Sequence, residues 1–475
     1  MLIFYNEKKE MALVTDRYVG VINAKPVIKG WIIALQCCTF ILLYAVWILP
    51  EIAVWRNISL GLGATLGLYV SYCYRSQLFT KSALPIWLIG LLFIWATFHL
   101  LFLSQNFTLQ WGEYKSIWKR IFLSALFALG LGLSIINNPE KSKRWAWPLI
   151  YIALIMPTII YLVKWTLTFY GEIILGQGPI PPFLKVYSSS QLFYVPKTDY
   201  VVFCLPTLAV ALGQMLDSIQ GKRIRWQAFF LYAISIVGIS FVFYAQNIKN
   251  GFIYEVLLFS LFLLQLGKSS LKFLTFGRLV VISILILTIG LLVYKHVQGN
   301  ESWRTLVADA KIAVQLDEYQ HWKYNGEQGY PSNSSSKTVS ATNYERIAWG
   351  IVGVKVLLEN PLGYGLIENS FGPLVNLRWP ESSPRLSHSH SGWLDLALGI
   401  GLPGIILVIS ALILALKQSV NYSLPWRNLG IWILLSSLFL WCTTEVSNNG
   451  NIDPLIFWIV MTTALGLSFQ NIRDN

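Results

Sequence analysis

Residues 393–416 read WLDLALGIGLPGIILVISALILAL, a run with one charge, Asp395, in its first turn. A bilayer span needs roughly 20 mostly apolar residues, and this stretch supplies them. Working outward, further apolar runs occupy 31–49, 58–74, 84–104, 121–136, 148–163, 200–216, 227–245, 252–266, 279–294, 429–444 and 454–469. Together they predict an all-α integral membrane protein with about twelve transmembrane helices. Composition agrees: 55% of the 475 residues are hydrophobic and only 12% charged, against about 25% charged in an ordinary soluble domain.

Charge then sets the orientation. With the N-terminus in the cytoplasm, the cytoplasmic segments hold 19 of the 36 Lys and Arg but only six of the 23 acids, which leaves 17 of each on the other side. The whole formal charge of +13 therefore lies on one face. This is the positive-inside pattern, so the basic character calls for no nucleic-acid partner. Residues 1–30 carry five cations, and no small-residue cleavage site follows the first apolar run, so they do not read as a signal peptide. The organisation expected is a cytoplasmic segment 1–30, nine spans over 31–295, a large outer segment 296–392, and three spans with a short cytoplasmic tail over 393–475. The five cysteines all fall within apolar runs, placed for neither a disulfide framework nor a Cys/His metal site.

The outer segment has internal order. Ser302 is expected to cap a helix running through Trp303, Leu306, Val307, Ile312 and Leu316. The Gly-, Ser- and Asn-rich stretch 325–340 reads as a flexible connection. Thr342 or Asn343 should cap a second helix from about 344 to 359, with Ile347, Ile351, Val354, Leu357 and Leu358 on its apolar face. Asn360–Pro361 ends it, because the residue before proline disfavours the α region. The segment closes with Ser387-His-Ser-His-Ser391, directly before the run quoted first.

Several residues there are suited to chemistry. His388 and His390, two apart, would suit a metal in an extended strand, but no third ligand lies near in sequence. A neutral imidazole, with an ordinary pKa of about 6.5, also serves as a general base at neutral pH. Arg346 is either a surface cation or a planar donor for phosphate oxygens. Its neighbour Glu345 is acidic, but adjacent residues do not face each other on a helix. Lys249, in the turn 246–251, is either an interfacial lysine or an anion ligand at a helix start. His99, Lys164, Glu255 and Asp395 are ionisable residues in or beside spans. Asp395 lies five residues after His390.

These residues carry a resemblance. His390-Ser391, nine residues, then Gly401-Leu402-Pro403-Gly404 resembles the signature of the O-antigen ligase family. Arg346-Ile-Ala-Trp and Asn360-Pro-Leu-Gly-Tyr-Gly365 are similar to that family's large outer loop, and many spans with one late loop fit as well. The clear likeness covers about 343–405. The family includes lipopolysaccharide O-antigen ligases, O-antigen polymerases and O-linked protein oligosaccharyltransferases of the bacterial inner membrane. The resemblance implies an architecture like that of C-type glycosyltransferases, with a large periplasmic loop containing helices. It also implies glycan transfer from undecaprenyl diphosphate, without metal or cofactor, to a lipid A–core sugar, another glycan or a protein. It makes His390 the base and Arg346 a diphosphate ligand, with His388 and Asp395 secondary candidates. Where the family carries a second arginine in an outer turn, this chain has Lys249, which keeps the charge and loses the bidentate fork. A transporter or flippase is the non-enzymatic rival. It predicts charged or broken-helix sites at the midplane, whereas most polar candidates here cluster in one late loop.

Overall fold

The computed structural model describes residues 28–138, 140–176, 180–187, 191–220, 226–268, 276–334, 336–444 and 451–468. Most of the expected cytoplasmic segment 1–30 lies outside them, as do Lys222, Arg223, Arg225, Lys272 and Arg473 of the cytoplasmic charge set. The regular structure of the described residues is helical, apart from one isolated antiparallel bridge between Ser332 and Thr338.

In chain order the helices are α1 Gly30–Trp47, α2 Ala53–Cys73, α3 Leu84–Phe98, α4 Phe107–Glu113, α5 Lys119–Asn137, α6 Glu140–Leu175, α7 Lys197–Gln220 and α8 Trp226–Ala245. They continue with α9 Lys249–Lys268, α10 Phe276–Gly299, α11 Leu306–Ala313, α12 Ala341–Glu359, α13 Phe371–Arg378, α14 Gly392–Ser419, α15 Trp426–Leu440 and α16 Ile452–Leu465.

Each of the apolar runs falls on a helix. Among the described residues, nine helical stretches are long and apolar enough to cross a bilayer: Gly30–Trp47, Lys81–Leu103, Phe107–Asn137, Arg144–Ile174, Lys197–Gln220, Trp226–Ala245, Lys249–Gly267, Ile282–Gly299 and Gly392–Ser419. The chain is thus an all-helical, multi-pass membrane protein. The other three runs lie on α2, which carries Arg56, and on α15 and α16, of 15 and 14 residues. At 1.5 Å per residue the last two reach only about 20 Å, short of a hydrocarbon core of about 30 Å.

Lipid is as apolar as leucine, so these helices associate by close packing rather than by the hydrophobic effect. Gly67 of α2 and Gly130 of α5 show this. A Cβ on Gly130 would sit 2.2 Å from the Gly67 Cα, so the two backbones touch where they cross. On α5's other side lies α16, and Phe40, Phe127 and Phe457 join α1, α5 and α16, the first and last stacked at 5.1 Å. The buried Glu255 of α9 accepts a hydrogen bond from Ser240 of α8.

α14 is broken at Gly401, whose φ of 70° and ψ of 176° only glycine adopts readily. The break frees backbone groups, and the 361–365 turn satisfies them: Tyr364 and Gly365 N–H donate to the Leu398 and Gly399 carbonyls, and Leu402 N–H donates to Pro361 O. Trp95 Nε1 of α3 donates to Ile400 O at 2.6 Å. Non-helical backbone beside a membrane survives only with such partners. The glycines and proline that carry the family resemblance therefore fasten the outer loop to the membrane helices.

The outer loop departs from expectation in four places. Asn300, not Ser302, caps the first turn, and α11 begins only at Leu306. α12 starts at Ala341 after Ser340, so Thr342 and Asn343 lie inside it. Its exposed side carries Val354 and Leu358, while Tyr344, Ala348, Trp349, Val352 and Val356 are buried against α11, α13 and α14. The 325–340 stretch, read as a loose connection, is tied down: Asn333 donates to Asp309 and Tyr330 to Glu345.

Candidate functional site

α12 supplies two residues that face different ways. Neighbouring residues on a helix lie about 100° apart, so Glu345 and Trp349, one turn apart, share a face that Arg346 does not. Arg346 turns to the membrane helices. Its Nη1 donates to Asn250 Oδ1 at 2.8 Å, at the start of α9, and to the Thr443 carbonyl at 2.7 Å, just past α15. Asn250 Nδ2 donates to the same carbonyl. The guanidinium thus holds loop, α9 and the 441–444 turn together.

His390 precedes α14. Its backbone is left-handed, with φ 61°, a conformation uncommon for non-glycine residues though less so for histidine. Asp395 helps to hold it: its Oδ1 accepts the Ser389 N–H at 2.6 Å, and Ser391 Oγ caps α14 by accepting Leu394 N–H. The imidazole stacks on Trp349 at 5.3 Å and 10°, and His388 meets it edge-on at 4.4 Å. Nε2 of His390 is 3.9 Å from Glu345 Oε2, both side chains being largely buried. The other oxygen of that carboxylate accepts the Tyr330 hydroxyl at 2.5 Å. Burial and then this bond push the Tyr330 pKa up, so the hydroxyl remains a donor.

Arg346 and His390 line one cleft of about 460 Å³. Its walls are polar at Ser389, Ser391 and Thr443 and apolar at Val354, Leu357, Trp393, Leu394 and Ala397. Such a site can take a molecule with a charged head and an apolar tail. It joins two of the expected residues. Asp395 is buried behind it, holding the backbone, and His388 hydrogen-bonds Ser387 and packs on Trp349. Lys249 is the next residue to Asn250, but its ammonium is engaged elsewhere: it donates to Asn343 Oδ1 at 2.7 Å and Ser302 Oγ at 3.2 Å and sits over Trp303. Of the cysteines, Cys37 and Cys204 are buried, and Cys442, beyond the end of α15, lines the cleft. Among the described residues no three His, Cys, Asp or Glu side chains converge as a metal site.

The polar hub behind the cleft was not visible in the sequence. Asp309 accepts from Thr305, Asn333, Asn343 and the Ser340 N–H at 2.7–3.2 Å. Burial alone would raise its pKa, but these bonds outweigh burial and hold it below the usual carboxylate range. Asn343 links the hub to Lys249, and Arg346 lies one turn further along α12. Tyr330, Asn250 and Thr443 were likewise missed, and Glu345 was weighed only as a neighbour of Arg346, although its place one turn before Trp349 was legible.

Comparison with protein-family models and with curated proteins gives no match for this chain.

Proposed function

We propose that this chain is a metal-independent glycosyltransferase of the bacterial inner membrane. In this reading it moves an O-antigen glycan from undecaprenyl diphosphate to a lipid A–core sugar hydroxyl, as a lipopolysaccharide O-antigen ligase does. About twelve spans in a C-type arrangement would form the platform, with both termini cytoplasmic and the cleft periplasmic. The observation that carries the reading is the meeting of Arg346 and His390 in one amphipathic cleft where the loop joins α14.

The acceptor O–H attacks the anomeric carbon, the bond from that carbon to the diphosphate oxygen breaks, and the configuration inverts. His390 takes the hydroxyl proton, and Arg346 meets the charge that develops on the leaving diphosphate. A fixed cation in a partly dry site does this without metal. The apolar wall suits the prenyl chain. Lys249 contributes positive potential beside Arg346 and holds the loop that carries it.

The test uses purified protein in lipid nanodiscs with carrier-linked glycan and core acceptor. Positioned general bases contribute about 10²–10⁴-fold, so His390→Ala should lose activity on that scale. Near-normal transfer overturns the assignment. Gene deletion followed by a lipopolysaccharide gel reads the acceptor. Loss of all O-antigen bands supports the ligase. A retained single-repeat band means a polymerase, and an unchanged gel with unmodified glycoprotein means a protein oligosaccharyltransferase.

A further inference from the structure

We infer that Glu345, itself oriented by Tyr330, is the positioning and charge partner of His390, the base in this cleft. The inference rests on the glycosyltransferase reading for its purpose, but its geometry stands alone. Three constraints fix the ring: Trp349 stacks on its face, the Asp395–Ser389 bond sets its backbone, and the Glu345 carboxylate lies 3.9 Å from Nε2. Glu345 and Trp349 are one turn apart on α12, so a single rigid helix sets both the tilt and the charge environment of the imidazole.

The carboxylate is itself oriented. Tyr330 donates to one oxygen at 2.5 Å, which leaves the other directed at the ring. That tyrosine comes from the 325–340 stretch, which thereby helps to orient the carboxylate. A neutral imidazole gains little from an anion at this distance. An imidazolium gains much, since charges attract more strongly where water is largely excluded. Glu345 therefore favours the state in which His390 holds the acceptor's proton. The other charged or titratable groups around the ring are Arg346 on α12, His388 on the same segment and Asp395 in the first turn of α14. Of the two carboxylates, Asp395 accepts the Ser389 N–H with one oxygen, and Glu345 reaches the ring from α12 at 3.9 Å.

The test measures proton affinity of the ring without using glycan transfer. Diethyl pyrocarbonate, which attacks neutral imidazole, is applied to the nanodisc protein from about pH 5 to 9, and the adduct on the His390 peptide is followed by mass spectrometry. Glu345→Gln keeps shape and removes charge. Its labelling midpoint should move to lower pH by about one unit, and kcat for transfer should fall about 10–100-fold with KM little changed. Glu345→Asp retains the charge one methylene further back and should lie between Gln and wild type; it carries the test if the Gln protein fails to fold. Tyr330→Phe should slow transfer about threefold, a loss of the size expected for one hydrogen bond, without a downward midpoint shift. A wild-type midpoint in Glu345→Gln overturns the inference, or in Glu345→Asp should that variant carry the test. A downward shift in Tyr330→Phe as large as in Glu345→Gln also overturns it, by assigning the effect to packing. A shifted midpoint in a protein that transfers no glycan to any acceptor upholds the pair and overturns the glycosyltransferase reading.

Discussion

The membrane helices and the outer loop have separate hydrophobic cores built on different rules. The membrane core runs through α1 to α3, α5 to α10 and α14 to α16, is nearly all aliphatic and aromatic, and closes most of its backbone hydrogen bonds within each helix. The loop core is small, centred on Tyr344, Trp349, Val352 and Phe371. Polar side chains gather around it, with Asp309 as hub. α14 belongs to both: Leu396 and Ile400 pack in the membrane core and Leu398 in the loop core. The cleft lies on that seam, with Arg346 and His390 from the loop side and Thr443 from the membrane side. The membrane half is held by smooth apolar helix faces, whereas the loop half is held by fixed polar contacts.

The most damaging single change to this arrangement should fall on the seam itself. Gly401→Ala puts a Cβ 2.3 Å from the Leu362 carbonyl at a backbone conformation nearly reserved for glycine. The cost should be about 3 kcal/mol, seen as a lower unfolding temperature in nanodiscs and as protease access to the 361–365 turn. Gly90→Ala in α3, where nothing lies within 4 Å, is the matched control and should be neutral or slightly stabilising. Equal stability of the two variants would dissolve the distinction between seam and span.

Asp309→Asn confines the damage to the loop. The amide nitrogen would face donors where a carboxylate oxygen now accepts, at a cost of about 2 kcal/mol. The folded pKa of Asp309 is depressed. Its contribution is therefore complete above the unfolded value of about 4 and is lost as pH falls through the lower folded value. Wild-type protein should show protease sensitivity of the 325–340 stretch rising below about pH 4, and Asp309→Asn should show it at neutral pH. If the variant's loop resists protease like wild type, Asp309 is not the hub.

Much of this was legible in advance, and unevenly. The apolar runs located the membrane helices because lipid contact demands long apolar stretches whatever their neighbours. Asn360–Pro361 marked the end of α12 because a steric rule acts within two residues. Arg346 and His390 line one cleft, though nothing in their spacing explains why residues 44 positions apart should share a wall. What was hidden depends on long-range contacts: Lys249 with Asn343, Arg346 with Asn250 and Thr443, Tyr330 with Glu345. The face of α12 was misread in part because aliphatic periodicity was expected to mark its core. Here Tyr344 and Trp349 do, while Val354 faces the cleft.

The smallest effect expected belongs to the lipid face, and it tests the membrane half of the comparison. Ile94 on α3 is 65% exposed, with Leu91, Phe98 and Leu101 exposed nearby and Leu92 and Ala96 turned inward. If lipid covers this face, Ile94→Ala exchanges one apolar contact for a smaller one in an equally apolar solvent. No cavity forms, because acyl chains fill the space, and no hydrophobic driving force is lost. The change in stability should stay below about 0.5 kcal/mol. A drop of about 2 kcal/mol or more, the size of a buried large-to-small change, would mean that protein covers Ile94, and that α3 belongs to an interface with another chain rather than to the lipid boundary.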